Sequence, residues 1–121
     1  MNKLIAIGAA SYAALGVAGL AQPGRIPQTF GGTADTADSR TEIRAVYGGM
    51  PLAFAAALVA SPAAAVPIGI ATAGMALGRA ASVALEGEGT TLVSKAFIGI
   101  EIAGAAALLI GARQARVKGS A

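Results

Sequence analysis

The sequence predicts an all-α integral membrane protein, a four-helix bundle that crosses the bilayer four times and carries no soluble domain of any size. Three observations carry that prediction. The apolar residues lie in four uninterrupted runs of about the length a bilayer core requires, not in alternating or amphipathic patterns. Each run is closed by Pro, Gly or charge. The composition agrees, with 55% hydrophobic residues, 12% charged residues and a mean hydropathy of +0.69, well outside soluble averages. The 121 residues leave room for one domain, 1–121.

The first run, 4–21, follows Lys3 and is just long enough to span a hydrocarbon core of roughly 30 Å at about 1.5 Å per residue. Its rival reading is a secretory signal peptide, with Lys3 as a basic start and Gly19, Leu20 and Ala21 as a small-residue cleavage site. The stretch is longer than a usual signal core, which favours a span. Residues 22–41 switch to Pro, Gly, Thr, Asp and Arg and read as the one sizeable loop. Asp38 or Ser39 is placed to cap the second helix, 42–60, with acids near the positive end of its dipole. Ser61 and Pro62 end that helix, and the third, 64–85, follows at once as the other arm of an antiparallel hairpin. Glu86, Gly87, Glu88 and Gly89 break the chain before the fourth helix, 91–112, which is followed by a basic tail.

Cysteine and histidine are absent. That excludes disulfides, thiol nucleophiles, the usual zinc sites and imidazole acid–base chemistry, and no cofactor or metal is expected. The formal charge of +3 does not point to nucleic acid, because the basic residues are scattered among helix ends without interleaved aromatics. They report topology instead. Lys3, Arg113, Arg116 and Lys118 on the side of the termini outweigh Arg25, Arg40 and Lys95 in the opposite loops, so both termini are expected in the cytoplasm and loop 22–41 outside it.

Small residues recur at helical spacing, at Gly8 and Gly16 on either side of Tyr12, at Gly74 and Gly78, and at Gly99 and Ala103. They are assigned to helix packing, since small residues four apart let helices approach closely in lipid.

Ionisable side chains inside spans cost about 2.5–3.5 kcal/mol each on insertion scales, and so mark candidate sites. Glu101 sits near the middle of the fourth helix, Arg79 six residues before Leu85, and Arg44 in the outer turn of the second. Counted inward at about 1.5 Å per residue, Arg79 lies about 10 Å deep and Glu101 about 13–15 Å. The two can pair. Arg44, Tyr47, Gly48 and Pro51 share one helical face, Ser82 shares a face with Arg79, and Tyr12 falls at a similar depth. The expectation is an outward-facing polar pocket ringed by Tyr12, Arg44, Tyr47, Arg79, Ser82 and Glu101. The competing expectation is a buried Arg79–Glu101 pair that only fixes two helices, with Arg44 snorkelling to the surface.

The run Glu42, Arg44, Tyr47, Gly48, Gly49, then Gly78, Arg79 and Ser82, then Glu101 resembles a family of small four-helix bacterial membrane proteins, domain of unknown function 4345. The resemblance covers nearly the whole chain and implies that fold, but no activity. One departure is the turn after the third helix, where Glu86 to Thr90 contains no proline.

Two functions follow. One is a binding or transport-like protein of a bacterial inner membrane, taking a small anionic or lipidic ligand. The other is an accessory subunit whose charges serve only packing, with membrane lipids, a larger membrane complex or a second copy as partners. An enzyme ranks last, because Ser82 has no base other than Glu101. A reporter fused behind the last residue is expected to be active only on the cytoplasmic side; activity only on the far side would reverse the orientation.

Overall fold

The computed structural model describes residues 1–120, and every regular element among them is helical. Helix α1, Lys3–Ala21, starts at Asn2, whose Oδ1 accepts the free N–H groups of Leu4 at 2.9 Å and Ile5 at 3.2 Å. The same side chain donates through Nδ2 to Gln114 Oε1 at 2.9 Å. The beginning of the chain is thereby tied to the far end of its last helix.

After α1 the loop holds a short helix, α2, Arg25–Gln28. Helix α3, Ala37–Arg44, then begins five residues before the expected position 42. The cap is Thr36, whose Oγ1 accepts the Ser39 N–H at 3.0 Å. Asp38 sits in the first turn, where the helix dipole favours an acid. A π-helical turn, Ala45–Gly49, joins α3 to α4, Met50–Ala60.

The π-turn has a cause in the sequence. Pro51 has no N–H, and in a regular α-helix its ring would collide with the carbonyl four residues back, that of Tyr47. Widening the turn, with the Met50 N–H reaching back to the Ala45 carbonyl, lets the helix pass a fully buried proline.

Helix α4 ends at Ser61, extended ahead of Pro62, and its hydroxyl accepts the Ala63 N–H at 3.3 Å. A 3₁₀ turn, Pro62–Ala64, leads into α5, Ala65–Glu86. Gly87, with φ +61°, a region that other residues seldom adopt, closes α5, and α6 runs Leu92–Ser120. The sequence expectation for the last helix stopped at 112. The basic tail instead continues the helix, since Arg, Gln and Lys are good helix formers and Gln114 is held by Asn2.

Four helical stretches, Lys3–Ala21, Ala37–Ala60, Pro62–Gly89 and Leu92–Gly119, are long and apolar enough to cross a membrane. Their apolar side chains also face outward, among them Ile7, Val17, Val59, Ile70, Leu77 and Ile102. Helices apolar on every side suit lipid and not water.

Helix α1 lies along α4 and along α6, while α5 packs chiefly on α6. The core, Ile5, Ala9, Leu58, Ala65, Ile68, Leu108 and Ala112, gathers all four spans at the end that carries the termini. At the opposite end, which carries the 22–36 loop, packing is within pairs. There α1 meets the π-turn so closely that a Cβ on Gly19 would overlap the Tyr47 carbonyl, and one on Gly16 would stand 2.8 Å from the Gly48 carbonyl oxygen. Lipid tails are as apolar as leucine, so such close backbone contact, not removal from water, holds the helices together.

The packing role expected of the small residues therefore divides. Gly8 and Gly16 lie against neighbouring helices, whereas Gly74, Gly78 and Gly99 have nothing within 4 Å of where a Cβ would be, and Ala103 is exposed. Periodicity alone could not tell an inward from an outward face.

Gly19→Ala is accordingly expected to lose about 1–3 kcal/mol or more in a melting measurement on detergent-solubilised protein, because the obstacle is backbone. Gly78→Ala is expected to be neutral or to gain about 0.5–1 kcal/mol from helix propensity. Equal losses at both positions would contradict this packing.

Candidate functional site

Arg79 lies seven residues before the end of α5 and Glu101 nine residues after the start of α6, so both side chains sit about 10–14 Å in from the loop end of the hairpin. They meet. Arg79 Nη2 donates to Glu101 Oε1 at 2.6 Å, and Nε donates to the same oxygen at 3.0 Å. Glu101 is buried, its side chain 9% exposed, while that of Arg79 is 28% exposed.

The pair is lopsided. Both guanidinium donors converge on Oε1, and Oε2 is buried with no hydrogen-bond partner. Two aromatic rings complete the surroundings: the guanidinium carbon stands 5.2 Å from the centroid of Phe30, on the loop, and 5.5 Å from that of Phe97, one turn before Glu101. The rings also contact each other, with centroids 5.2 Å apart. Cation–π contacts of this kind contribute about 0.5–1 kcal/mol each at partly exposed sites, whereas breaking a buried ion pair costs about 3–5 kcal/mol. The carboxylate, not the rings, governs where Arg79 sits.

A second polar contact lies one layer deeper. Thr72 of α5 donates its hydroxyl to the Ile68 carbonyl at 2.8 Å, so Tyr12 of α1 must be the donor in the short bond between the Tyr12 and Thr72 hydroxyls. The Tyr12 ring stands edge-on to Phe54 of α4, with centroids 5.3 Å apart and planes at 87°. Tyr12 thus links α4 and α5 across α1. Gly104, one turn beyond Glu101, faces the Thr72 methyl group, which joins the two polar layers along one seam.

Of the six residues expected to ring a pocket, Arg79 and Glu101 come together and Tyr12 lies on the same seam. Arg44 does not. Its Nε donates to the Leu20 carbonyl at 3.1 Å, answering one of the unsatisfied carbonyls at the end of α1. Tyr47 is 43% exposed and Ser82 is exposed, and neither side chain makes a hydrogen bond, to the ion pair or to any other of the described residues. The helical spacing that grouped them was correct for one helix, but the faces do not converge.

Two residues were not foreseen. Thr72 had a signal, being a lone hydroxyl at mid-depth opposite Tyr12. Phe30 had only its position as an aromatic in a polar loop. Two shallow apolar grooves lie elsewhere, one between α1 and α4 lined by residues such as Ala6, Ala10 and Val59, the other along the end of α6.

Four apolar spans and a charged pair set among them define a small polytopic membrane protein. The family described as Domain of unknown function (DUF4345) matches residues 1–112, and the chain belongs to that family. No curated protein and no solved structure matches it.

Glu101→Gln is expected to lower stability by about 3–5 kcal/mol, since it leaves Arg79 at depth without its counter-charge. Replacing both residues by Leu should cost markedly less. Melting curves of the two variants compare these outcomes directly, and equal losses would show that the pair is not coupled.

Proposed function

We propose that this protein binds a lipid-like ligand at the Arg79–Glu101 pair, from within the membrane. One observation carries the reading: a carboxylate oxygen, Oε2, is buried with no partner, on a pair whose guanidinium is still partly accessible. An unsatisfied buried acceptor costs about 1–3 kcal/mol, and more when it is charged. If the pair served only to pin α5 to α6, a bidentate arrangement using both oxygens would remove that cost. Leaving one oxygen free fits a site that a ligand completes. In this reading the termini face the cytoplasm of a bacterial cell and the pair faces the outer leaflet, in accord with the excess of Lys and Arg at the chain ends.

The second reading is an accessory subunit, associating with a larger complex or a second copy. It is favoured by the exposed small residues Gly74, Gly78 and Gly99, and by Arg44, which is used up in capping α1.

Native mass spectrometry of the purified chain, beside its melting curve, separates the two. In the binding reading the double variant Arg79→Leu with Glu101→Leu remains folded and loses a co-purifying amphiphile that the unaltered chain carries. The same bound species on both proteins would leave the accessory reading standing.

A further inference from the structure

The lopsidedness of the ion pair specifies what kind of ligand completes it. Arg79 uses one N–H each of Nε and Nη2, both on Oε1, which leaves the two N–H groups of Nη1 and the second N–H of Nη2 as donors and Glu101 Oε2 as an acceptor. Unused donors and an unused acceptor therefore belong to one pair that is neutral as a whole.

A purely anionic ligand could take the Arg79 donors, but it would set a negative charge beside a carboxylate and leave Oε2 unsatisfied. A purely cationic ligand would meet the guanidinium. The ligand that answers both groups carries both charges.

We propose that the site accepts a zwitterionic headgroup, an ammonium donating to Glu101 Oε2 and a phosphate accepting from the free N–H groups of Arg79. This rests on the reading that the pair binds a lipid-like ligand. The ammonium must bear N–H, because Oε2 needs a donor, so a quaternary ammonium does not serve. Phe30 and Phe97 do not enter that choice, since their rings stand over the guanidinium and an aromatic face attracts a primary or a quaternary ammonium alike. Oε2 is closed off as the chain stands. Phe30, from outside the α5–α6 hairpin, stands over the Arg79 guanidinium and is 43% exposed on the loop. In the proposal, displacement of Phe30 from the guanidinium is the step that admits the headgroup.

The test uses the unaltered chain in nanodiscs, so it does not depend on any variant folding. Phosphatidylethanolamine, phosphatidylcholine and phosphatidylglycerol are offered in equal amounts, and the retained lipid is read by native mass spectrometry after detergent release. One charge-assisted hydrogen bond corresponds to about a tenfold or larger preference, so the ethanolamine lipid should exceed the choline lipid by at least about that factor. Equal retention of these two would overturn the proposal. Preference for the glycerol lipid would also overturn it, while leaving lipid binding at Arg79 intact; retention of no lipid would remove both readings. Glycerophosphoethanolamine, the same head without chains, is the control for source. Its competing with the lipid at millimolar concentration would support the zwitterion chemistry and assign it to a free solute, whereas failure to compete beside lipid preference would assign it to the bilayer. Phe30→Ala should speed lipid exchange several-fold without changing the order of preference, and a changed order would count against the proposal.

Discussion

Helix ends leave backbone groups unanswered, and within the hydrocarbon layer no water is present to take an unpaired donor or acceptor; these needs explain most of what the chain does with its few polar side chains. Asn2 answers the free N–H groups at the start of α1 and then reaches Gln114. Arg44 answers a carbonyl at the other end of the same helix. Thr72 and Tyr12 satisfy each other with the help of the Ile68 carbonyl. Each is a local solution in which a polar side chain finds its partner within the chain. Among the described residues the buried exception is Oε2 of Glu101, which is why that residue, and not the exposed Tyr47 or Ser82, holds the functional interest.

The bundle divides into two halves with different physics. At the end carrying the termini, all four spans share one set of interlocking aliphatic and alanine side chains. At the loop end the spans pack as pairs, one by backbone contact between α1 and the π-turn, the other by the charged pair between α5 and α6. Phe30 reaches across from the loop to the second pair. A fold closed tightly at one end and held by fewer, more specific contacts at the other places its adaptable parts around the ion pair.

Much of this was legible in the sequence because run length and charge depth are one-dimensional quantities. Counting residues gives the number of spans, and counting depth brings Arg79 level with Glu101. Rotation about a helix axis is different. Arg44, Tyr47 and Ser82 lie on sensible faces of their own helices, yet which way each helix turns its face depends on packing that no single-helix spacing encodes. The π-turn shifts the register of the helix carrying Arg44 and Tyr47, and the end of α1 offers Arg44 a nearer partner than Glu101. The outward Gly74, Gly78 and Gly99 escaped for the same reason. Thr72 was within reach of the depth argument, whereas the placement of Phe30 depends on an irregular loop.

The central claim is that Arg79 and Glu101 form a direct, one-sided pair within the bilayer, and solid-state NMR of the chain in lipid tests it most directly. With the Glu101 carboxyl labelled in ¹³C and the Arg79 guanidinium in ¹⁵N, the account predicts recoupled dipolar contacts to two nitrogens at about 3–4 Å, the separation of a hydrogen-bonded guanidinium–carboxylate pair. Absence of coupling between these labels would contradict it.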